Sequence, residues 1–128
     1  MKSGLLLVLI LLGVAGLSFA QKDINPSDAP RFIGKNLRLD GFVTRVCHHR
    51  HSRIITFGLS DDDYKSAESL VIVIHLRHFD TAYYQKIKEL TGKEINTGGT
   101  LQRSKGLPLI NHYGRDLYIE EIERLPAY

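Results

Sequence analysis

The sequence predicts a mainly β domain of five strands, with one helix between the third and fourth, preceded by a signal peptide. Three observations predict it. Apolar residues recur at every second position in five separate stretches, the spacing of half-buried strands. Between Asp80 and Gly92 the spacing changes to that of a helix. Before any of these, the chain opens with one cation, an apolar run and small residues.

That opening is the first element. Lys2 precedes an unbroken apolar run over residues 5–17, and Ser18, Phe19 and Ala20 follow. Charged, apolar and small residues in that order are what a signal peptidase reads, with cleavage expected after Ala20. An uncleaved anchor is the competing reading, because residues 4–20 form a run just long enough for a thin bilayer. No cysteine lies at the junction to carry a lipid. The expected organisation is therefore a signal peptide over residues 1–20, an N-terminal arm over 21–30 and one domain over 31–128, with no membrane span once the signal is removed.

Composition narrows the function classes. The formal net charge is +3, and Lys2 supplies one unit of it, so the exported domain is nearly neutral. Affinity resting on a strong overall positive charge is excluded, and any anion site must come from local clustering. The single cysteine, Cys47, cannot form an internal bridge, so the core must hold the domain without a staple.

Residues 21–30 are polar, contain Pro26 and Pro30, and show no periodicity, which reads as a tether or arm. In the first strand Leu37, Leu39 and Val43 share one parity, while Phe42 and Val46 take the other. Gly41 lies between, so a bulge or sharp coil is expected there, letting one strand serve two sheets. In the second strand Ile55, Phe57 and Leu59 alternate with Ile54, Thr56 and Gly58, up to an Asp61-Asp62-Asp63 turn. Residues 70–76 are almost wholly apolar and β-branched, which predicts a third strand covered on both faces.

The helix carries its own punctuation. Asp80 is the N-cap, Phe79 and Tyr84 form a hydrophobic staple, and Tyr83, Ile87 and Leu90 make the apolar stripe. Lys86 and Lys88 suit the negative end of the helix dipole, and Gly92 closes it. Ile95, Thr97, Gly99 and Leu101 form the fourth strand, with residues 102–106 as a turn and 107–110 as its continuation. Residues 111–116 read as a loop, and Leu117, Ile119 and Ile122 as the last strand.

This order resembles the OB-fold, a five-stranded Greek-key barrel with a helix at one end. Two phrases sharpen it: Gly34-Lys35 leading through Leu37 and Leu39 to Gly41, and Gly92-Lys93 leading through Ile95 and Thr97 to Gly99. With Gly106-Leu107-Pro108-Leu109-Ile110 and Ile119-Glu120, they look like the small exported OB-fold proteins of bacteria and the OB modules that bind single-stranded nucleic acid. The resemblance covers about residues 31–125 and rests on turn glycines and core positions. It implies a binding surface on strands two and three, rimmed by two loops. One rim holds His48, His49, Arg50, His51 and Arg53; the other holds Arg103, Lys105, His112, Tyr113 and Arg115.

Both rims are cationic, as a strand of phosphates requires. Arg45, Arg53, Arg77, Arg103, Lys105 and Arg115 are the candidate charges and Tyr113 the candidate stacking ring, with Tyr64 and Tyr118 in reserve. The pattern departs from nucleic-acid OB modules in one respect. They carry aromatic platforms on strands two and three, whereas Phe57 here has the parity of the core. Polar surface loops account for the same residues without any ligand.

Cys47, His48, His49 and His51 also include the ligand types used for zinc or copper. If the segment stays extended, Cys47, His49 and His51 share one face, and His75 or His78 offers a fourth ligand. No known zinc spacing is matched, and Arg50 and Arg53 oppose a cation. No catalytic motif stands out, and no resident cofactor is implied. The leading expectation is thus an exported, non-enzymatic binding module for an anionic extended ligand, single-stranded nucleic acid or an oligosaccharide. A periplasmic metal- or haem-handling protein and a protein-interaction module are the alternatives.

Overall fold

The computed structural model describes residues 23–123, so the expected signal peptide lies outside the described residues. Within them the chain runs through a 3-10 helix (Pro26–Phe32), β1 (Asn36–His48), β2 (Ile54–Ser60), β3 (Leu70–His75), α1 (Thr81–Lys88), β4 (Glu94–Thr100), β5 (Leu109–Tyr113) and β6 (Ile119–Glu121). The strands form one mixed sheet in the order β5-β3-β2-β1-β4-β6, which does not close by a continuous ladder.

The core follows from the alternation in each strand. Leu39 and Val43 of β1, Ile55, Phe57 and Leu59 of β2, Leu70, Ile72 and Ile74 of β3, Ile95 of β4 and Ile110 of β5 are buried together. Ile87 of α1 joins the same cluster. Because side chains alternate across a strand, the residues between them form an outer face.

Strand β1 does serve two partners. Residues 36–42 pair with β4 and 42–48 with β2, so Phe42 is the handover. The register break falls between Val43 and Val46, just beyond the expected glycine. Gly41 has a different constraint: a Cβ there would lie 2.8 Å from Pro26 Cγ and 3.2 Å from the Ser60 carbonyl. The bulge explains the parity change, turning Val46 inward opposite Phe57 and Cys47 outward opposite Thr56.

Three expectations are corrected. The sheet has six strands, because residues 109 and 110, expected to continue the fourth strand, form with residues 111–113, read as loop, a separate β5 that pairs in parallel with β3. Strand β3 is buried on one face only, with Val71, Val73 and His75 half-exposed on the other. Residues 23–30 are packed rather than free: Ile24 bridges Leu39, while Pro26 and Ala29 are buried. Helix α1 is placed as its punctuation predicts, with Asp80 accepting from the Tyr83 N–H and the Phe79 and Tyr84 rings 5.8 Å apart.

Candidate nucleic-acid interface

Strands β2, β3 and β5 present one continuous outer face. With Ile55, Ile72 and Ile110 inward, the pleat turns Thr56, Val73 and Asn111 outward, and His75 and Tyr113 beyond them. The parallel register sets Val73 beside Asn111 and His75 beside Tyr113. The rings of His75 and Tyr113 stack at 4.5 Å with planes 16° apart, and Tyr113 remains 72% exposed. Tyr113, expected on a rim loop, thus stands at the end of a strand on a fixed support.

A chain of polar contacts continues from this stack. His75 Nε2 lies 2.8 Å from Asn111 Oδ1, and since an amide oxygen only accepts, Nε2 carries the proton. Asn111 Nδ2 in turn donates to Gln102 Oε1. Gln102 is exposed, and its backbone is pinned by reciprocal bonds to Leu109 of 2.8 and 3.1 Å.

The expected cations divide into two groups. Arg45 is paired with Glu68 at 3.0 Å, and Arg115 with Asp80 at 2.6 Å. Glu68 also accepts from the Thr44 hydroxyl, and its carboxylate lies where a side chain on Gly58 would begin. Among the described residues, Arg53, Arg77, Arg103 and Lys105 have no carboxylate partner. Arg53 donates to the Arg77 carbonyl, which holds these two together at one end of β2 and β3. Arg103 and Lys105 follow Gln102 directly in the loop before β5. Arg77 lines an open groove with His78, Phe79, Asp80 and Arg115.

Two carboxylates fix the loops beside this face. The Tyr83 N–H, then the Arg115 guanidinium, hold Asp80 below the usual carboxylate range. Asp116 is held low by its hydrogen bond from His112 at 2.8 Å, which closes the turn after Tyr113.

The histidine segment is not gathered as an extended strand would gather it. Strand β1 ends at His48, whose half-buried ring stacks on Phe79 at 3.8 Å and bonds the Ser52 carbonyl through Nε2. His49 reaches the Thr56 hydroxyl at 3.4 Å, and His51 sits in a turn with φ of +57°. Cys47 is exposed on the outer face. His75 is committed to Asn111 and Tyr113, while His78 lies on the groove. Among the described residues, no three His, Cys, Asp or Glu side chains cluster as metal ligands would.

Sequence reasoning missed Asn111 and Gln102, and named His75 only as a possible metal ligand. The signal was parity: His75 alternates with inward Ile74, and Asn111 and Tyr113 alternate with inward Ile110.

No protein-family model and no curated protein matches the chain. Solved structures do resemble it. "OBody AM1L10 bound to hen egg-white lysozyme" superposes with a TM-score of 0.54 at 16% identity, over 79% of this chain and 95% of that one. "OBody AM3L09 bound to hen egg-white lysozyme" gives 0.55 at 13%, over 78% and 95%. "Crystal structure of p204 HINb domain" gives 0.55 at 14%, over 79% of this chain but 47% of that one. At such identities the likeness is one of fold, and the fold of this chain is OB-like.

Proposed function

We propose that this chain is an exported, non-enzymatic module that binds single-stranded nucleic acid on the outer face of β2, β3 and β5. The observation that carries the reading is the Tyr113 ring, exposed yet stacked on His75. A ring held rigid from behind gives a base a platform at little entropic cost, and stacking tolerates any sequence. Arg103 and Lys105 beyond one end of the face, and Arg53 and Arg77 at the other, supply the phosphate contacts.

The test is anisotropy of a labelled oligothymidylate at low salt, with an uncharged oligosaccharide as competitor. Tyr113→Ala is expected to weaken binding by roughly 1–3 kcal/mol while leaving thermal unfolding unchanged. Absence of oligonucleotide binding at low salt, or displacement by the sugar alone, would sink the nucleic-acid reading.

Export rests on the composition of residues 1–20. N-terminal sequencing of protein secreted by a bacterial host is expected to begin at Gln21; an intact Met1 would favour the anchor.

A further inference from the structure

The contacts His75 to Asn111 to Gln102 run in one direction, and that direction decides what Gln102 shows to a ligand. His75 Nε2 donates to Asn111 Oδ1, which turns Asn111 Nδ2 toward Gln102. Gln102 Oε1 accepts there, so its nitrogen lies on the branch turned away from Asn111. Among the described residues this NH2 group has no acceptor, and the side chain is exposed. Reciprocal backbone bonds to Leu109 hold the residue that carries it.

Resting on the nucleic-acid reading above, we infer that Gln102 is a specificity-determining residue that favours bases rich in carbonyl oxygens, thymine and uracil, over adenine. A glutamine recognises adenine by pairing oxygen with N6 and nitrogen with N7 together. Here the oxygen is directed at Asn111, so that paired grip is lost. The remaining NH2 suits a base carbonyl. On adenine, the N1 and N7 acceptors both flank the exocyclic amine, which would face the Gln102 NH2 donor to donor. Thymine and uracil place two carbonyls on either side of N3–H, and O4 presents a further lone pair on its C5 side, away from that donor.

The position fits a base next to the platform. Asn111 touches both Gln102 and His75, and His75 supports Tyr113. Arg103 and Lys105 follow Gln102 and would hold the phosphates on either side of the base it reads. His75 and Asn111 are positioning residues, acting through the orientation of the Gln102 amide.

The test compares oligothymidylate and oligoadenylate of equal length, using the ratio of their affinities so that uniform losses cancel. The wild-type ratio is expected to favour thymidylate, and Gln102→Ala to lower it by about fivefold, the worth of one hydrogen bond. Asn111→Asp gives the stricter check. A carboxylate cannot donate, so Gln102 must turn its nitrogen to Asp and its oxygen outward, and the preference is expected to move toward adenylate with Gln102 itself unchanged. A merely structural role for Asn111 would weaken both ligands alike. A ratio that neither substitution shifts overturns the inference while leaving the nucleic-acid reading intact. If neither oligonucleotide binds at low salt, that reading fails and the inference with it.

Discussion

At Gly99 a single hydrogen keeps β4 and β5 in contact. The residue has φ of +153°, and a Cβ would lie 2.5 Å from Ile110 Cγ2, an atom of the core. Gly99→Ala therefore meets backbone strain and overpacking together. It is expected to destabilise the domain by roughly 1–3 kcal/mol, read as a lower thermal midpoint. Sequence parity placed Phe57 in the core correctly, and the structure leaves it 1% exposed. Parity also held the means to find His75, but a lone histidine at a strand end looks the same whether it meets solvent or a ring. Only the β3 to β5 register, which joins residues far apart in the chain, puts Tyr113 against it. Tyr113 was named as the stacking candidate for its side-chain chemistry, while the support beneath it was illegible.

Element by element, local chemistry was the readable part. Helix α1 could be located from its cap, staple and stripe because those contacts all lie within a few residues. Strand β5 was half missed, since Asn111, His112 and Tyr113 have loop-like polarity and their partner strand lies across α1 and β4. The 3-10 helix was missed for the opposite reason: two prolines read as a tether, yet Pro26 seats against Gly41.

The caps and turns also predict an acid response. Asp62 and Asp80 are held below their ordinary value chiefly by the hydrogen bonds they accept, as is Asp116. A carboxyl depressed in the folded state stabilises it above the unfolded pKa, and that contribution disappears as pH falls through the folded value. Thermal stability should therefore hold near neutrality and decline below about pH 4. Asp80→Asn keeps a good N-cap without the charge, so its decline with acid should be shallower. Parallel melting curves for wild type and variant would contradict this.

For the molecule as a whole, charge placement matters more than charge total. The domain is nearly neutral, yet four cations without carboxylate partners lie at the two ends of one face. Binding to a single strand should weaken with salt by a log–log slope of about 0.7 for each phosphate contacted. Arg103→Ala with Lys105→Ala is expected to reduce that slope by roughly 1.4. Arg45→Ala should leave it unchanged, because Glu68 already neutralises Arg45. An unaltered slope in the double variant would place the phosphates elsewhere. The sequence disclosed the cationic loops but not this division, since Glu68 and Asp80 meet their arginines only in the folded chain.

The handover of β1 between β4 and β2 leaves one edge of its first half without a neighbouring strand. Ile24 takes that edge at Leu39, opposite the one paired with β4, and β6 pairs with β4, whereas Tyr113 stands on β5. The described chain thus begins against β1 and ends against β4, and neither strand belongs to the candidate face. A bead or fused carrier joined through either end would therefore be attached next to a strand that does not carry Tyr113.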